Sequence, residues 1–143
     1  MERRRPRTPP ARPLVLIVDG HDDTCDLYAV ALPSFGFETV TVDDGVHAFR
    51  RAWETHPDII VTEISHSRLD DWRVVEDLKR DPRTRDIPII VLTGHAEPSV
   101  RERADREGCA ALLVKPCLPE HLADALREHL GRGPGYEHAS ARR

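Results

Sequence analysis

Four apolar runs in this chain each stop at a polar side chain suited to an anionic group: LVLIV at Asp19, IIVT at Glu63, IIVL at Thr93 and ALLV at Lys115. Uninterrupted Val, Ile and Leu, with no polar residue alternating among them, describe strands covered on both faces, and such strands belong to parallel sheets. Ligands of open parallel sheets bind outside the carboxyl ends of the strands. Four polar residues at those ends therefore converge on one pocket.

Five strand-like stretches are legible, at 14–19, 38–42, 58–63, 87–92 and 111–114. Helical periods fall between them at 23–32, 46–55, 72–80 and 99–107, and a fifth runs over 119–130. Asp22 or Asp23 can cap the first helix, Gly36 and Gly108 follow the first and fourth, and Pro119 opens the last. Pro33 cuts the first helix short. Strand and helix alternating five times give an α/β domain, a parallel sheet with helices on both faces. A chain of 143 residues holds one such domain with a sizeable core. Its expected limits are 13–131, between a Pro- and Arg-rich tail at 1–12 and a Gly-rich one at 132–143, both read as disordered.

The formal charge of −4 hides a segregation. Arg3, Arg4, Arg5, Arg7 and Arg12 stand against Glu2 at the start, and Arg132, Arg142 and Arg143 lean the end basic, so the body between is acidic. An acidic body makes nucleic acid an unlikely partner, and the basic stretch has no interleaved aromatic to stack on bases. Cys25, Cys109 and Cys117 are odd in number and widely spaced, the pattern of reduced, half-buried thiols rather than of a disulfide framework. No apolar run approaches the ~18 residues of a membrane span, and no signal-peptide core follows the arginines. A soluble cytoplasmic protein is expected.

In their order and separation, the motifs LIVDGHDDT, HPDIIVTEIS, IPIIVLTGHA and LLVKPC make the chain from 12 to 131 resemble the receiver domain of two-component response regulators. The resemblance implies a flavodoxin-like (βα)5 fold, a doubly wound parallel sheet of strand order 2-1-3-4-5. It implies no enzyme, but a domain that takes a phosphoryl group from a histidine kinase onto an aspartate with the help of magnesium; a threonine and a lysine then read the new charge. Its partners would be that kinase or a downstream effector. A homodimer would form through the face of the fourth helix, fifth strand and fifth helix, here 98–107, 111–114 and 119–130.

Carried onto this sequence, the resemblance makes Asp19 the first acid of the pocket, Glu63 the residue at the phosphoacceptor position, Thr93 the hydroxyl and Lys115 the ammonium, with the Ser65 carbonyl as a metal ligand. Three positions depart from the pattern. Glu63 replaces the aspartate, Gly20 stands where a second acid would ligate the metal, and Leu112 stands where an aromatic residue would precede the lysine by three. Magnesium asks for near-octahedral oxygen ligands, commonly one or two carboxylates with waters and phosphate oxygens. With Gly20 contributing none, Asp19, Glu63 and Ser65 are expected to hold it weakly.

The extra methylene carries the Glu63 carboxylate outward by about one C–C bond, ~1.5 Å, toward where phosphoryl oxygens would lie. Glu63 is then expected to pair with Lys115 and to accept a hydrogen bond from Thr93. The imitation is partial, because a carboxylate brings one charge where a phosphoryl group brings nearly two. Leu112 offers no aromatic face to swing inward. Together these changes read as a degenerate, stand-alone pseudo-receiver that works through protein contacts without phosphorylation. A disused ion pair would show the same residues. Two other readings stay open: a phosphorylatable receiver with an unusual acceptor, and a tether whose Arg-rich start grips nucleic-acid phosphate or an anionic membrane.

His21, His66 and His95 are expected at the mouth of the same pocket, but their spacing is not that of a metal motif. Trp72 is expected to pack the start of the third helix. Trp53, at helical spacing with Val46 and Phe49, reads as core.

Overall fold

The computed structural model describes residues 12–18, 24–64, 70–95 and 97–130. The Arg-rich start, the Gly-rich end and the stretches 19–23 and 65–69 lie outside the described residues, and with them Asp19, Gly20, His21, Ser65 and His66.

The strands are β1 (Leu14–Val18), β2 (Glu38–Val42), β3 (Ile59–Glu63), β4 (Ile89–Thr93) and β5 (Ala111–Val114). The helices are α1 (Thr24–Ala31), α2 (Gly45–Thr55), α3 (Asp70–Arg80), α4 (Pro98–Arg106) and α5 (Pro119–His129). All strands are parallel, in the order β2-β1-β3-β4-β5, the flavodoxin-like topology expected from the sequence. Every position of β4 is buried, whereas β5, at the sheet edge, is half-buried throughout.

Alternation along the strands divides the interior in two. Val15, Ile17, Ile59, Val61, Ile90 and Leu92 meet Tyr28, Leu32, Leu122 and Leu126, which seats α1 and α5 on one face. Leu16, Val18, Ile60, Ile89 and Val91 meet Ala48, Ala52, Val75, Leu78 and Ala104, which seats α2, α3 and α4 on the other. Tyr28 spends its hydroxyl inside the first core, donating to the Cys117 carbonyl at 2.6 Å.

Local chemistry sets the boundaries. After α1 the chain tightens into a 3-10 turn, Leu32–Phe35, which tolerates Pro33 near its start, and Gly36 closes it at φ 98°, a left-handed conformation open to glycine. The Asp44 carboxylate caps α2 by accepting from His47 N–H at 3.0 Å, and this bond holds its pKa below the ordinary carboxylate value. Gly45 is there for space: a Cβ at this position would lie 2.5 Å from Val74 Cγ2 of α3.

The expected core face of α2 is wrong. Val46 is 84% exposed and Trp53 44%, while Ala48 and Ala52 are the fully buried pair and Phe49 only flanks them. Small residues win that face because α2 lies close against the sheet and α3, and the bulky side chains of the same helix are left outside. Trp53 instead stacks under the Arg83 guanidinium, 4.2 Å from the ring centre, and Arg83 is tied to Asp81 at 2.9 Å. Trp72 does pack against the second core.

The amino ends of the strands are closed by hydrogen bonds. Leu14 N–H donates to Asp58 Oδ2 at 2.8 Å, Asp58 N–H returns to the Leu14 carbonyl at 2.8 Å, and the Arg12 guanidinium donates to the carbonyls of Phe37 and Pro33 at 3.1 and 3.2 Å. Arg12, the last position of the expected basic tail, is thus held by the fold.

Candidate functional site

The strand ends opposite those ties place three of the expected residues. Glu63 is the last residue of β3, in register with Leu92 of β4. Thr93 is the last of β4, in register with Val114 of β5. Lys115 follows directly, its N–H donating to the Thr93 carbonyl at 2.7 Å, and the Lys115–Pro116 peptide is cis.

The Lys115 ammonium reaches across to Glu63 and pairs with its Oε2. Both side chains are mostly covered, 11% of Glu63 and 21% of Lys115 being exposed, so the attraction between them is screened far less than at an open surface. The second carboxylate oxygen, Oε1, is buried and has no hydrogen-bond partner among the described residues. Leaving such an atom unsatisfied costs about 1–3 kcal/mol.

Thr93 does not supply the missing partner, contrary to expectation. Its hydroxyl oxygen, 1% exposed as a residue, accepts the backbone N–H of His95 at 3.1 Å. The pleat explains why. Glu63 pairs with Leu92, and Thr93 is one residue further on, so it belongs to the alternate set of side chains, the set of Ile89 and Val91. Glu63 has the parity of Ile59 and Val61, and Lys115 that of Ala111 and Leu113, which pack the same core. The ion pair therefore forms on one side of the sheet and the threonine starts from the other.

Leu112, in register with Val91, is half-buried and packs against the core shared by α2, α3 and α4. It fills space there as a short aliphatic side chain. Asp19, Gly20 and Ser65 lie outside the described residues; β1 is described as far as Val18, the partner of Thr62.

For a metal ion, the described part of the pocket offers one unused carboxylate oxygen, Glu63 Oε1. The described residues contain no group of three or more His, Cys, Asp or Glu able to hold an ion. One such oxygen falls short of the donor set magnesium takes, and the charge of Glu63 is met by the Lys115 ammonium. His95 is exposed at the rim, and its partners in the histidine expectation, His21 and His66, lie outside the described residues.

Cys109 and Cys117 are half-buried free thiols. Burial pushes Cys109 up to about 12, more than the nearby Lys79 ammonium offsets, and it also raises Cys117. The fold also makes a cluster that periodicity did not announce: Arg103 of α4 joins Glu76 and Trp72 of α3. The spacing of Arg103 and Glu107 by four was its one legible trace.

The sequence profile described as the response regulator receiver domain matches residues 15–127. The polar-differentiation response regulator DivK of Brucella ovis is 30% identical over 117 residues, covering 82% of this chain and 95% of that protein. Among solved structures, the chemotaxis protein CheY4 of Vibrio cholerae superposes with a TM-score of 0.77 at 26% identity, over 84% of this chain and all of that one. The receiver domain of a sensor histidine kinase from Pseudomonas aeruginosa, solved with a magnesium ion coordinated in its active-site cleft, gives 0.72 at 26% identity, over 82% of this chain and 96% of that one. No helix among the described residues is long and apolar enough to cross a membrane.

Proposed function

The chain belongs to the response regulator receiver family and is a receiver-type signalling protein of two-component pathways, and from that premise we propose that it is a pseudo-receiver, signalling through protein contacts without being phosphorylated. One observation carries the reading: the residue at the acceptor position is a glutamate whose carboxylate is engaged by Lys115. The charge that a phosphoryl group would bring to the lysine is already in place, as a fixed single charge.

Phosphoryl transfer rests on positioning and on neutralising the charge of the transferred group. With Glu63 displaced outward and Gly20 unable to ligate, the pocket is short of both. Asp19, Glu63 and the Ser65 carbonyl are left as a weak magnesium site, and Leu112 as a readout position without an aromatic switch. The partner is a histidine kinase or a downstream effector, bound through the face of α4, β5 and α5, with a homodimer through the same face as the other occupant. The match to the Brucella ovis regulator over 95% of that protein supports a signalling unit made of the receiver alone.

Incubation with acetyl phosphate and magnesium, followed by intact mass measurement, tests the proposal. The wild type should gain no phosphoryl mass, while Glu63→Asp together with Gly20→Asp should gain an acid-labile, hydroxylamine-sensitive increment. Phosphorylation of the wild type would replace this reading with that of a receiver using an unusual acceptor.

A further inference from the structure

Helix α4 is thinly anchored by apolar contact. Only Val100 and Ala104 of its residues are buried, and the strand beside it, β5, is half-buried at every position. A valine and an alanine supply little of the burial that holds a helix to its neighbours.

What α4 lacks in apolar area is made up by one side chain. The Arg103 guanidinium donates through Nη2 to Glu76 Oε2 at 2.5 Å and through Nε to Glu107 Oε2 at 3.0 Å, and its Cζ stands 5.1 Å from the ring centre of Trp72. Glu76 and Trp72 are one turn apart on α3, and Trp72 is itself wedged against the core below. Arg103, Glu76 and Glu107 are each 30% exposed or less, which limits screening by salt. A planar fork that meets two carboxylates and an aromatic face at once is a task for arginine, since lysine offers one compact charge and no plane to stack.

We propose that Arg103 is the clamp that holds α4 on α3, keeping the α4–β5–α5 face in one arrangement whatever the state of the Glu63 pocket. The importance of that face rests on the proposed function; the clamp itself does not. α4 begins five residues after Thr93, so a change at the end of β4 reaches the helix through its first turn. Arg103 sits in the second turn, where its contacts to Glu76 and Trp72 oppose a shift of the helix along α3, while the bond to Glu107 stays within the end of α4 and fixes the guanidinium.

Amide hydrogen exchange on the full chain tests this. Arg103→Ala should speed exchange of the α4 amides from 100 to 107 by about tenfold, the scale of one charge-assisted hydrogen bond, and leave β3 and β4 unchanged. Arg103→Lys should fall between that and wild type. Arg101→Ala, an exposed change on the same helix, should stay within about twofold. The clamp is overturned if Arg103→Ala exchanges no faster in α4 than Arg101→Ala does, or if β3 and β4 lose protection to the same degree. Phosphorylation of the wild type by acetyl phosphate would remove the proposed function and leave this result untouched.

Discussion

The two ends of the sheet are finished differently. At the amino ends Leu14 and Asp58 exchange a pair of 2.8 Å hydrogen bonds, and Arg12 ties the chain to the carbonyls of Pro33 and Phe37. At the carboxyl ends Glu63 and Lys115 form an ion pair, and the other Glu63 oxygen is buried with no partner among the described residues. A buried polar group without a partner is a local cost that stability alone would remove, and in native proteins such groups concentrate at functional or strained sites. The amino end is closed by mutual hydrogen bonds; the carboxyl end carries an ion pair with one carboxylate oxygen left over among the described residues.

The contrast can be broken at several levels. Ile60 is fully buried on the central strand that serves both ends. Ile60→Ala should cost ~2–5 kcal/mol in urea unfolding through lost burial and the cavity left behind, erasing the distinction between the ends.

Asp58→Ala should act at one end only. It leaves the Leu14 N–H without its acceptor, and a loss of about 1–3 kcal/mol is expected. The amide NMR signals of Thr93 and Lys115 should stay in place; movement there would mean that the two ends are coupled.

The smallest effect belongs to the turn after α3, where Asp81 holds Arg83 over Trp53. Side-chain hydrogen bonds from Arg83, and then its backbone N–H, hold the Asp81 pKa at about 2, below the ordinary 3.8. A carboxyl depressed in the fold contributes stability above its unfolded pKa, and that contribution fades as pH falls through the folded value. Trp53 emission, followed in a Trp72→Phe background, should therefore change with a midpoint near pH 2. A midpoint near pH 4, about that of a free carboxyl, would show that Asp81 does not hold the stack.

Much of this was legible in the residues. Unbroken Val and Ile runs require a doubly covered parallel sheet, and the bounds of β2 and β5 follow from composition alone. The pairing of Glu63 with Lys115 was legible too, from opposite charges at two strand ends that open on one pocket. The Thr93 bond to Glu63 was not, since it depends on which strand residues stand in register, a tertiary fact that shifts parity by one. Likewise Val46, Phe49 and Trp53 carry a helical apolar period, yet Ala48 and Ala52 face the sheet because close approach of α2 at Gly45 selects for small side chains. The Arg103 cluster joins residues 72, 76 and 103, a separation no local pattern encodes.

The central claim is that Lys115 closes the charge of Glu63, and a double-mutant cycle measures it most directly. Glu63→Gln, Lys115→Met and the two together should be compared with wild type by urea unfolding. A coupling of about 1–3 kcal/mol is predicted, with Lys115→Met the costlier single change because it strands a covered carboxylate. Additivity within about 0.5 kcal/mol would contradict the account, since it would mean that the two charges do not depend on each other.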